Sequence, residues 1–128
     1  MLIVLVQHVA AGPAPFFNKD TEGVKIHPEI LKAAPDSVII IKSEADSFFK
    51  TNLEEVLHQH HVKELVVTGM MTQNCVTHTA ISKHAEKYVV AVAADCCTTV
   101  TQMIHMIALG GMAPRVTVKG FDELVDAK

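Results

Sequence analysis

Cys75, within "GMMTQNCVTHTA" (Gly69 to Ala80), directly follows an apolar strand-like run and opens a helix-like one. That placement suits a nucleophile. The first turn of a helix carries about +0.5 of a charge and several unpaired N–H groups, which favour a thiolate and can hold an oxyanion. Gly69 permits a tight backbone turn beneath the thiol. From position alone, packing accounts for Cys75 equally well, because free cysteine is often a small buried hydrophobe. Lys42 ends the apolar run "SVIII". Beside a thiolate its ammonium could stabilise the anion or relay a proton; on a surface it would simply lay its stem along apolar neighbours.

Further polar residues follow other apolar runs. Gln7 and His8 come after the first, and Asp95, Cys96, Thr98 and Thr99 after a later one. Asp95 with Thr98 and Thr99 reads most simply as a strand-end turn and helix cap, and Cys96 and Cys97 as packing. His58, His60 and His61 cluster at a helix end, but no carboxylate or cysteine completes a recognisable metal spacing around them. His105 fits a satisfied inner helical position.

The elements that must position these residues alternate in type. Leu2 to Val6 and Val38 to Ile41 are β-branched runs typical of strands buried on both faces. Between them, "AAGPAPFFNKDTEG" reads as loop. "TNLEEVLHQHH" is a helix, with Thr51 as N-cap and Glu54 completing a capping box, and with Leu53, Val56 and Leu57 on its apolar face. Then follow a strand (Leu65 to Thr68), a helix (Gln73 to about Lys87), a strand (Tyr88 to Ala93) and a helix (Thr99 to Leu109). Val100, Met103, Ile104 and Ile107 form the apolar stripe of that last helix, and Gly110 and Gly111 end it. Arg115 to Val118 is a final strand and "FDELVDA" a final helix. Such alternation predicts βαβ units in one α/β domain spanning residues 1–128, a three-layer α/β/α arrangement around a mostly parallel, Rossmann-like sheet. In open α/β sheets the site lies beyond the carboxyl ends of the strands, so His8, Lys42 and Cys75 are expected on one rim.

Bulk properties narrow the class. A chain of 128 residues, 49% hydrophobic and 20% charged, can bury a core without disulfide staples. The net charge of −3 and the absence of a Lys/Arg cluster argue against nucleic acid as a partner. No apolar run reaches the length of a membrane helix, and "MLIVLVQHV" lacks the basic start of a signal peptide. Three cysteines, two of them adjacent, are not a disulfide framework, so a reducing cytoplasm is expected.

Two blocks, "IKSEADSFFKTNLEEVL" and "ELVVTGMMTQNCVTHTA", resemble the isochorismatase-like cysteine hydrolases, a superfamily that includes nicotinamidases and N-carbamoylsarcosine amidohydrolases. The family's pattern falls on Lys42, Ser47, Phe48, Thr51 and Leu53, then on Gly69, Thr72, Cys75, Val76 and Thr79, and "VVAVAADCCTT" resembles its following strand and turn. The resemblance implies that Cys75 is the nucleophile and Lys42 a member of an Asp-Lys-Cys triad. It also implies a cis peptide at Met70–Met71, which would turn the Met71 N–H inward to form an oxyanion hole with that of Cys75. His8 and Phe48 are the expected substrate-binding side chains.

In the family the triad aspartate ends a strand that precedes the one beginning here at Leu2. This sequence has no matching segment, and Asp20, Asp36, Glu44 and Asp46 do not fall at that position. The family's Asp-x-His-x-x-His metal motif is reduced to a lone His8 in "VQHVAAG", so neither a metal nor a cofactor is expected. The expectation is a hydrolase of a small amide, ester or related bond, working through a Cys75 thioester. The alternative is a shortened, catalytically weak member that binds ligands or assembles with partners. Apolar edge and face left open by the missing segment would favour a homo-oligomer.

Overall fold

The computed structural model describes residues 1–126 of the 128-residue chain. In chain order the elements are β1 (Val4–His8), α1 (Pro28–Ala33), β2 (Val38–Lys42), α2 (Leu53–Gln59), β3 (Glu64–Met70), a π-helical turn (Thr72–Val76), α3 (Thr77–Ala80), β4 (Val89–Thr98), α4 (Gln102–Met112), β5 (Thr117–Lys119) and α5 (Phe121–Asp126). Every strand pairing is parallel, as the alternation requires. The strands do not form one sheet, however. β1 pairs with β2 alone, and β3, β4 and β5 form a second sheet. Between β1 and β3 lies a cleft lined by Leu2, Val4 and Val6 on one side and Val66 and Thr68 on the other, with Phe48 and Leu57 beside it.

The core sits around Ile40, Leu57, Val76, Val92 and Met112, each almost fully buried. Burial of an aliphatic side chain this size is worth about 1.5–3 kcal/mol. The β1–β2 register places His8 opposite Lys42, so the two side chains leave the sheet together. Along β3 the pairing with β4 shifts between Val67 and Gly69, after which Gly69 faces Cys97 and Met70 faces Thr98. β4 therefore runs on to Thr98, and the polar "DCCT" is strand rather than turn. Asp95 caps a distant element: its Oδ1 accepts the Phe121 N–H at 2.8 Å, at the start of α5.

Several local expectations change for identifiable reasons. The helix expected from Gln73 to Lys87 is three pieces: the π-helical turn, α3, and a 3-10 turn at Lys83–Lys87. Ser82 makes the break, its hydroxyl accepting the His84 N–H and donating to Asp46. The Thr51–Glu54 capping box does not form. Thr51 donates to the Ser47 carbonyl and accepts from the Leu53 N–H, while Glu54 pairs with His84 and Lys87. α4 begins at Gln102, where the Thr101 hydroxyl accepts the Ile104 N–H, and it passes through Gly110 and Gly111 to the buried Met112. Of the expected apolar stripe, Ile104 is half-buried while Val100, Met103 and Ile107 face outward, with Val100 at 73% exposure. α1 lies beyond the expected loop, in a stretch to which the sequence reading assigns no element: the His27 ring accepts the Glu29 N–H and Pro28 fits the first turn.

A buried polar network joins the segment after Lys42 to the helix after Cys75. The Thr79 hydroxyl accepts the Ser47 N–H at 3.0 Å and donates to the Ser47 Oγ at 2.8 Å. Asp46 accepts from the Phe48 N–H and the Ser82 hydroxyl. Thr79→Val keeps the shape but strands a buried N–H, which costs about 1–3 kcal/mol. Urea denaturation of this variant is expected to show a lower midpoint by that amount; an unchanged midpoint would show that the network does not hold the two segments together.

Candidate active site

Three elements deliver the site residues to one point. β2 ends on Lys42, β1 ends on His8, and β3 ends on Met70, from which the chain turns into the π-helical turn bearing Cys75. Gly69 has φ +117°, a conformation that favours glycine, and the Met70–Met71 peptide is cis. Thr72 is fully buried at the start of the turn, its Oγ1 2.8 Å from the His105 Nδ1. His105 on α4 is thus a satisfied inner histidine that pins the turn.

Lys42 is 4% exposed. Its Nζ lies 3.2 Å from the Cys75 Sγ, 2.9 Å from the His8 Nδ1 and 2.6 Å from the Glu44 carbonyl oxygen. An ammonium has three N–H donors, so these three acceptors use all of them. The arrangement requires an unprotonated His8 Nδ1. Burial, and after it the neighbouring Lys42 charge, pushes His8 below its ordinary range, which keeps the ring neutral near pH 7. Sγ is left as the acceptor of a charge-assisted hydrogen bond, the geometry a thiolate fills best.

Over Cys75 opens a cleft of about 90 Å³, lined by His8, Phe16, Phe17, Met70, Met71, Asn74 and Cys75. The His8 and Phe17 rings meet edge-to-face at 5.7 Å. Of the two expected substrate-binding residues, His8 borders this cleft and Phe48 does not. Phe48 is 6% exposed and stacks on Tyr88 and His84, which ties it to the core. Phe16 and Phe17 supply the aromatic wall instead; from the sequence these two, like Phe48 and Phe49, could equally line a pocket or pack in the core.

The carboxylates near in sequence are otherwise engaged. Asp46 belongs to the buried network, and the Glu44 side chain points to Lys50 at 3.9 Å. Asp20 and Asp36 are exposed on loops. Among the described residues no carboxylate forms an ion pair with Lys42, and no group of three or more His, Cys, Asp or Glu side chains could hold a metal.

The other thiols are set apart from Cys75. Desolvation, followed by the adjacent Asp95 carboxylate, pushes Cys96 up, and burial does the same for Cys97. Limiting iodoacetamide at pH 7 is therefore expected to modify Cys75 first. Exposed Cys96 should gain on it as pH rises through the thiol range and its thiolate appears. Preferential modification of Cys96 or Cys97 at pH 7 would contradict this ordering.

Comparison with known proteins bears on the fold and the family. Residues 1–119 match the model of the isochorismatase domain. The chain is 42% identical over 101 residues to the uncharacterized isochorismatase family protein YddQ of Bacillus subtilis, covering 78% of this chain and 56% of that protein. It is 32% identical over 88 residues to a protein of Arabidopsis thaliana named a probable inactive nicotinamidase, covering 68% of this chain and 45% of the relative. Among solved structures, an isochorismatase-like hydrolase from Alkaliphilus metalliredigens superposes with a TM-score of 0.88 at 25% identity, over 98% of this chain and 72% of that one. The chain belongs to the isochorismatase family. It spans about half the length of the curated relatives it matches.

Proposed function

We propose that Cys75 is the nucleophile of a cysteine hydrolase acting on a small amide, ester or related bond. The observation that carries this reading is the buried Lys42 ammonium 3.2 Å from Sγ, at the floor of a small cleft walled by aromatic rings. In the proposed reaction Sγ attacks the carbonyl carbon and a C–S bond forms. The oxyanion rests on the N–H groups of Met71 and Cys75, residues that line the cleft. The C–N or C–O bond breaks, and the leaving group takes a proton from Lys42, the donor within reach of Sγ. Water then attacks the thioester, gives a proton back to Lys42 and releases the acid, leaving Cys75 free. His8 and the two phenylalanines would orient a small-molecule substrate.

A second reading, a weak or silent member acting through binding and assembly, has an observation of its own: among the described residues no carboxylate pairs with Lys42. A positioned general base is worth about 10²–10⁴-fold. The 128-residue chain is therefore expected to acylate readily and turn over slowly. A panel of small amides and nitrophenyl esters, followed by ammonia or nitrophenol release, tests this. Steady amide turnover at ordinary enzyme rates would overturn the weakness; no acylation by any ester would overturn the hydrolase reading. The outward apolar residues of α4 and Ile39 and Ile41 of β2 support self-association as a homo-oligomer.

A further inference from the structure

We propose that His105 is a positioning residue for the oxyanion-binding half of the site, acting through Thr72. The proposal rests on the reading of Cys75 as the nucleophile. It adds a side chain that never meets the substrate, since neither His105 nor Thr72 lines the cleft over Cys75.

The chain from Met70 to Cys75 is held at its two ends. Met70 pairs with Thr98 of β4, and the Lys42 Nζ lies 3.2 Å from the Cys75 Sγ. The turn between them is tied within itself. The Met71 carbonyl accepts the Asn74 and Val76 N–H groups, and the Thr72 carbonyl accepts the Thr77 hydroxyl at 2.6 Å. These bonds set the shape of the turn, not its alignment against the rest of the molecule. Alignment falls to the Thr72 side chain, which is fully buried and has its Oγ1 2.8 Å from the His105 Nδ1. Among the described residues that hydroxyl has no second hydrogen bond. The N–H of Met71, one of the two proposed oxyanion donors, belongs to the residue directly before Thr72. A shift of Thr72 therefore carries that donor with it.

His105 is a firm anchor. At the start of α4 the Thr101 hydroxyl accepts the Ile104 N–H at 3.2 Å, and at the far end Leu109 and Met112 are buried. Met103, Met106 and Ile107 face outward, while His105 is half-buried and reaches the turn. An apolar side chain in its place would leave the buried hydroxyl unpaired, which favours a displaced turn. Oxyanion donors act over about 2.7–3.1 Å, and a misplacement of about 1 Å costs on the order of 10²-fold.

Two reactions of the same sulfur separate positioning from general damage to the fold. In acylation by nitrophenyl acetate a C–S bond forms, the carbonyl oxygen becomes an oxyanion, and the C–O bond then breaks as nitrophenolate leaves. In alkylation by iodoacetamide a C–S bond forms as iodide leaves, with no oxyanion, so the rate follows the thiolate that Lys42 supports. His105→Leu is expected to slow acylation of Cys75 by about 10- to 100-fold and to leave its alkylation rate at pH 7 within about twofold. His105→Asn places a polar atom where Nδ1 stands and should recover most of the lost acylation. Thr72→Val keeps the volume, removes the same bond from the other side, and should show the same split. Acylation of the Leu and Val variants at the parent rate would overturn the proposal. So would alkylation that falls in proportion to acylation, or an Asn variant as slow as the Leu variant. A parent chain that is alkylated at Cys75 but acylated by no ester would instead overturn the hydrolase reading, and the positioning role with it.

Discussion

Cys75→Ala is expected to abolish ester-driven acylation and to reduce any turnover to the level of the buffer, with the fold unchanged. Removal of a nucleophile in a covalent mechanism costs on the order of 10⁶-fold, because what remains is binding and oxyanion stabilisation without a bond-forming atom. The half-buried Cys75 side chain sits in the wall of an open cleft, so truncation to a methyl group leaves little void and stability should change by less than about 1 kcal/mol. Denaturation midpoint and acylation stoichiometry, measured on the same preparation, separate the two effects. A variant that still acylates once per chain would place the nucleophile elsewhere, with Cys96 and Cys97 the remaining thiols.

Lys42→Met is the second large effect. Methionine nearly matches the lysine stem in length and shape but removes the ammonium that donates to Sγ, His8 and the Glu44 carbonyl. An opposite charge within hydrogen-bond distance strongly favours a charged group, and the thiolate is the reactive species. Cys75 alkylation at pH 7 is therefore expected to slow by about tenfold or more. Stability is not expected to fall in parallel, since replacing a buried charge by an apolar side chain is often neutral or favourable. Equal alkylation rates in the two proteins at pH 7 would mean that Lys42 does not activate Cys75.

The pairing of Lys42 with Cys75 was legible in the sequence because each terminates or follows an apolar strand-like run, and parallel strands bring their carboxyl ends to one rim. The parallel arrangement, the positions of all five strands to within a few residues, and the inner place of His105 follow from similar local patterns. What was not legible depends on tertiary partners. β4 continues through Asp95 to Thr98 because Gly69 and Met70 offer it a pairing edge, which no property of "DCCT" announces. Phe48 goes to the core because Tyr88 and His84 stack on it, and a phenylalanine in the segment after Lys42 gives no sign of direction. The stripe of α4 faces outward because Leu109 and Met112, at its far end, are the residues that reach the core. The division into two sheets was not legible, because the runs of β1 and β2 and those of β3, β4 and β5 carry the same buried-strand pattern.

The most direct test of the central claim is intact-mass and peptide-level mass spectrometry of the 128-residue chain shortly after mixing with nitrophenyl acetate at pH 7. The account predicts a burst of nitrophenol close to one per chain, a single added acetyl group, its location on Cys75, and slow loss of that group to water. Hydroxylamine should remove it at once, as it does a thioester. No burst, or an acetyl group carried by Lys42, Cys96 or Cys97 with Cys75 unmodified, would contradict the claim that this site is built to make Cys75 a nucleophile.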